Sequence, residues 1–145
     1  MSVTSKKLIA AAAGAGGDAA SGSYIVCAKS SGLVYLLDHT TKGSLSTAAT
    51  YDVGSTVYDF AFSPDGNYIA AATLGNIYLL DHTTRGSLSL ADTYGSTNAL
   101  GVAFSPDGNY LAVASNGTSF ILLDHTTPGS LSASDSITVA GYGSG

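Results

Sequence analysis

A chain of 145 residues suits one compact domain, and 45% hydrophobic against 10% charged residues excludes a disordered one. All ten acidic residues are aspartate, and glutamate and glutamine are absent; the Ser, Thr, Gly, Ala and Tyr that fill the chain suit strands and turns, not amphipathic helices. A formal net charge of −5 with only five Lys and Arg leaves no basic stripe, which argues against nucleic acid and anionic membrane surfaces as electrostatic partners.

In chain order, Lys6 and Lys7 followed by residues 8–13 have the outline of a signal peptide, but the apolar stretch is short and mostly alanine. No apolar run approaches the ~20 residues of a spanning helix. Residues 7–13 are expected to form either a first strand or an arm that docks on a neighbour. A Gly-rich loop follows at 14–22, whose 14–19 stretch matches the loose dinucleotide pattern G-x-G-x-x-A. That pattern requires a following helix, whereas residues 21–26 read as loop and then strand, so no cofactor is expected. Strands are predicted at 24–28, 33–38 and 46–52, and Cys27, the single cysteine, reads as a small buried hydrophobe.

The rest of the chain repeats this pattern. Asp38-His39-Thr40-Thr41 returns at 81–84 and at 124–127, a spacing of 43 residues, and each copy leads into Gly-Ser-Leu-Ser. The block Ala-Phe-Ser-Pro-Asp-Gly-Asn-Tyr at 61–68 returns at 103–110. The second repeat predicts strands at 57–62, 67–73, 76–81 and 87–94, and the third at 99–104, 109–115, 119–124 and 133–139. Ser63-Pro64-Asp65-Gly66 and its copy put Pro where φ near −65° is wanted and Gly where φ is positive, so Asp65 and Asp107 are turn residues of tight hairpins. Asp38, Asp81 and Asp124 are placed to bond nearby backbone amides in the next reversal, with His39, His82 and His125 half exposed beside them.

The strands 69–73 (IAAAT) and 111–115 (LAVAS) lack the polar alternation of a sheet with one wet face. Both faces are expected to be covered, and the alanines let neighbouring sheets approach closely. The reading is all-β: four-stranded units of 40 to 45 residues packed face to face, which is a β-propeller.

Residues 62–66 (FSPDG), 67–72 (NYIAAA), 77–84 (IYLLDHTT) and Gly86 together resemble the WD40-like repeat of the kind found in periplasmic Tol-type propellers. The resemblance spans 57–132 well and 23–46 in part. Where that family closes its third strand with Trp-Asp, this chain has Leu37-Asp38, Leu80-Asp81 and Leu123-Asp124, and it contains no Trp. A narrower resemblance, carried by Ser5 to Ile9 and by the Leu-Asp-His-Thr-Thr endings, is to short structural proteins of tailed, especially marine, phages. It implies a virion component, decoration or tail-associated, with other virion proteins as partners.

Three repeats are too few for a ring of 4 to 8 blades. An open stack leaves two apolar blade faces, so the chain is expected to self-associate, with a head-to-tail dimer of six blades favoured. The expected organisation is an N-terminal strand or docking arm at 1–22, a three-repeat propeller at 23–140 and a flexible Gly-rich tail at 141–145.

No catalytic or metal site is expected. The Asp-His pairs end third strands on the outside of separate blades, too far apart for shared coordination. Asp65 and Asp107, the one carboxylate pair with a hydrolytic outline, are equivalent turn residues one blade apart. Tyr51, Tyr58 and Tyr94 are the candidate contacts to a ligand or partner, since a Tyr that varies between blades can stack a sugar or anchor a protein. The expected function is a non-enzymatic structural or interaction role in a virion; the alternative is a glycan-binding or adhesion module outside the cell or at its surface.

Overall fold

The structure, a computed structural model, describes residues 8–11, 24–95, 98–117 and 119–139. The Gly-rich loop expected at 14–22 and the tail expected at 141–145 lie outside these. Twelve strands follow one another: β1 Leu8–Ala11, β2 Tyr24–Ala28, β3 Leu33–Asp38, β4 Ser46–Asp52, β5 Val57–Phe62, β6 Tyr68–Thr73, β7 Asn76–Asp81, β8 Ser89–Gly95, β9 Ala99–Phe104, β10 Tyr110–Ser115, β11 Ser119–Asp124 and β12 Ser132–Thr138. They form three four-stranded sheets, β1 to β4, β5 to β8 and β9 to β12, each an antiparallel meander in sequence order. Leu8–Ala11 pairs with β2 from Leu8 opposite Ala28 to Ala11 opposite Ile25.

The turns explain the hairpins. The Ser63 amide donates to the Tyr68 carbonyl at 2.8 Å and the Ser63 hydroxyl accepts the Tyr68 amide at 2.9 Å, while Gly66 sits at φ 73°. The third sheet repeats this with Ser105, Tyr110 and Gly108. Strand starts expected at 67, 87 and 109 fall one or two residues later. The Asn67 and Asn109 amides donate to Asp65 and Asp107 inside the turn, and the Ser87 amide donates to the Thr84 carbonyl. A register shift recurs in every sheet, between Leu36 and Leu37, Leu79 and Leu80, and Leu122 and Leu123. It bends the outer strand away at the same height each time.

The core lies between the sheets. One cluster joins Tyr24, Val26, Val34 and Leu36 of the first sheet to Phe60, Ile69, Ala71 and Leu80 of the second. The other joins Tyr68, Ala70, Ala72, Ile77 and Leu79 of the second to Val102, Leu111, Val113, Leu123 and Leu131 of the third. Strand β6 therefore splits residue by residue between two interfaces, as a pleat of period two requires, and all six of its residues are buried. The expectation of two covered faces holds for 69–73 and fails for 111–115. Leu111 and Val113 are buried but Ala112 is exposed, because among the described residues no sheet packs on the far side of β10.

Candidate functional site

The same side chains form both junctions between sheets. Tyr24, at the start of β2, meets the His82 ring edge-on with centroids 4.8 Å apart, and Tyr68, at the start of β6, meets His125 at 5.0 Å. Each tyrosine lies over a glycine of the next sheet. A Cβ on Gly86 would stand 3.5 Å from the Tyr24 hydroxyl, and one on Gly129 would stand 3.2 Å from that of Tyr68. This corrects the expectation of half-exposed histidines: His82 and His125 are only 1% and 6% exposed because a tyrosine of the preceding sheet covers each. His39, with no such cover among the described residues, is half-buried.

Both covered histidines are hydrogen-bonded inside their junctions. The His82 Nδ1–H donates to the Ser87 carbonyl at 3.1 Å, its Nε2 is buried without a partner among the described residues, and burial lowers its pKa below the ordinary value. The His125 Nδ1–H donates to the Gly108 carbonyl at 2.9 Å, and its Nε2 accepts the Gly129 amide at 3.1 Å.

Asp38, Asp81 and Asp124 each accept the amide of the threonine two residues on at 2.7 Å. The Thr40 amide and hydroxyl hold Asp38 below the usual carboxylate range, and the Thr126 hydroxyl and then its amide do the same for Asp124. Asp65 and Asp107 come together around one concavity of about 310 Å3, walled also by Tyr68, His125, Thr126 and Pro128. Both carboxylates face their own turns. Asp65 accepts from the Ser63 hydroxyl at 2.6 Å and from the Asn67 amide and side chain at 2.9 Å each, and Asp107 does the same with Ser105 and Asn109. Burial raises the Asp65 pKa and these donors outweigh it, so the carboxyl titrates lower than usual.

Tyr51, Tyr58 and Tyr94 lie towards the opposite end of the sheets from these turns, as the meander topology dictates. Tyr51 and Tyr94 are half-buried against the first and second core clusters. Tyr94 also lines a shallow hollow of about 440 Å3 with Ile121, Ala133 and Asp135.

Three contributors were not singled out in the sequence. Arg85 ties two turns of the second sheet together, donating to the Gly66 carbonyl at 2.7 Å and to Asn67 Oδ1 at 3.1 Å. Asp59 accepts the Val102 amide at 3.0 Å, and Asp92 accepts the Leu131 amide at 2.6 Å, both across the junction between the second and third sheets. The repeat carried a signal for Asp92, since Asp135 stands 43 residues beyond it.

Four-stranded meanders stacked face to face, with their first strands β1, β5 and β9 side by side, define a β-propeller arrangement. The family described as WD domain, G-beta repeat, matches residues 45–81 and 89–121, so the blades are WD40-like propeller repeats. Among solved structures, a putative 6-phosphogluconolactonase from Bacteroides fragilis is similar with a TM-score of 0.73 at 21% identity, over 81% of this chain and 36% of that one. The periplasmic gluconolactonase of Pseudomonas aeruginosa is similar at 0.74 and 19%, over 91% and 39%. The Cps50 (Swd1) β-propeller domain of Myceliophteria thermophila is similar at 0.64 and 14%, over 80% and 38%. At these identities the likeness is one of fold, and the chain spans under two fifths of the length of each. No curated protein matches the sequence.

Proposed function

We propose that this chain is a non-enzymatic interaction module whose blade faces make the functional contacts. One observation carries the reading. The outward face of the third blade displays Phe120 at 50% and Ile137 at 65% exposure, whereas Ile77, which occupies Phe120's place in the second blade, is fully buried under the third. A sheet face built to be covered and left bare is a binding surface.

The finer reading is a structural component of a phage virion, decoration or tail-associated, and it rests on the resemblance of the opening segment and the Leu-Asp-His-Thr-Thr endings to such proteins. Immunogold labelling of density-purified particles with antibody raised against the 145-residue chain tests it. Regular label on the capsid or tail is the expected result, and unlabelled particles from a producing culture overturn it. The hollow beside Tyr94 favours a second reading, glycan binding. A glycan array should then show a signal that Tyr94→Ala reduces far more than Tyr51→Ala does, since both tyrosines pack against a core cluster and only Tyr94 lines the hollow.

A further inference from the structure

Among the described residues nothing covers the two ends of the blade stack, and these ends are the two halves of the Tyr-His-Gly junction already formed twice inside the chain. On the third blade, Tyr110 stands where Tyr24 and Tyr68 stand in the others, half-buried and uncovered. Asp135 stands where Asp92 stands. Its Oδ1 accepts the Ser136 amide at 2.8 Å as Asp92 Oδ1 accepts that of Thr93, but across the blade face no described amide meets it. On the first blade, His39 holds the place of His82 and His125. Gly43 holds the place of Gly86 and Gly129, yet a Cβ there would meet nothing within 4 Å. Leu45 holds the place of Leu131 and is 60% exposed where Leu131 is 7% exposed. Among the described residues, the tyrosine and aspartate pegs at one end each have an open seat of matching type at the other, the aspartate contact being the one Asp92 makes with the Leu131 amide.

We infer that the third blade of one chain docks on the first blade of a second copy, with Tyr110 over His39 and Gly43 and with Asp135 accepting the Leu45 amide. This deepens the reading of the chain as a module assembled through blade faces and rests on it. The contact is heterologous, and such contacts make a ring only when the rotation closes. Two copies of the three described blades give six, within the range propellers adopt.

The test is the native mass of the chain, with two surface variants. The intact chain should run at twice its 14.4 kDa. Phe120→Asp and Leu45→Asp, each damaging one end, should each halve that mass. Mixed in equal amounts they should return to the doubled mass, because each then offers its undamaged end to the other. Cys27 supplies a second readout. Against the burial expected from the sequence, it is half-exposed on the first blade's outward face, while its equivalents Ala71 and Val113 are at 0% and 1%. Its maleimide labelling should be on the order of tenfold slower in the dimer than in either variant alone.

A chain that stays at 14.4 kDa, variants that keep the doubled mass, or a mixture that stays monomeric overturns the head-to-tail contact. A monomer that still labels on virions would leave the functional proposal standing, with a foreign protein on the third blade.

Discussion

The Arg85 guanidinium donates to the Gly66 carbonyl at 2.7 Å, joining the Ser-Pro-Asp-Gly turn of the second blade to its Asp-His-Thr-Thr turn. The equivalent positions are Lys42 and Pro128, so among the described residues only the middle blade has this clamp. The same side chain also reaches the His82 carbonyl at 3.1 Å. Arg85→Lys keeps the charge but loses the planar fork. It should lower stability by about 1 kcal/mol, since the bonds are partly exposed to solvent, and a fall in the urea midpoint at unchanged slope checks it.

His82 makes stability depend on pH. Burial sets its folded pKa below the ordinary 6.5, with Arg85 adding to the shift and the Ser87 carbonyl and Asp81 opposing it. The unfolded chain therefore takes up a proton at a pH where the folded chain does not. Stability from this residue is complete well above 6.5, falls as pH drops below it, and levels off once pH is under the folded value. Urea midpoints across that window should decline in the wild type, with a shallower decline in His82→Phe. The aspartates act lower: Asp38, Asp65, Asp107 and Asp124 are held below 3.8, so their contribution persists above that value and is lost only as pH falls through their folded pKa values.

Ser63 is 2% exposed, and its hydroxyl serves both the Tyr68 amide and Asp65. Removing it strands a buried N–H. Ser63→Ala should cost about 1–3 kcal/mol. Ser105→Ala, at the half-exposed copy of the same turn, should cost less, because water can replace the lost partner. Thermal or urea melts of the two single variants compare them directly.

Gly32 sits at φ 96° with the Ser55 backbone against it, and a Cβ there would overlap the Ser55 amide and stand 2.7 Å from its carbonyl oxygen. Gly54 has φ 68° but open space around it. Gly54→Ala should cost about 1–2 kcal/mol from backbone conformation alone. Gly32→Ala should cost more, because backbone cannot swing aside as a side chain does. Far-UV circular dichroism melts of both variants test the order.

Much of the architecture was legible in the sequence because the repeat is written there in turn chemistry. Pro64 and Gly66 specify a hairpin locally, Asp81 specifies its own reversal by bonding the Thr83 amide two residues on, and the strands between them follow with bounds within two residues. The junctions were less legible. Nothing local distinguishes His39 from His82, for both follow Leu-Asp and both precede Thr-Thr. Their burial differs because Tyr24, 58 residues before His82, covers one ring and no described residue covers the other.

What the sequence by itself determined is therefore the blade: strand composition, tight turns and a period of 43 residues act over short separations, where each residue meets its partner within a hairpin. What only the tertiary structure decided is which faces are interior. Ala70 and Ala112 sit in equivalent strands, yet Ala70 is fully buried and Ala112 is exposed. Burial of a sheet face depends on whether another sheet is stacked upon it, and that is settled by packing across blades, not by the residues of the strand itself.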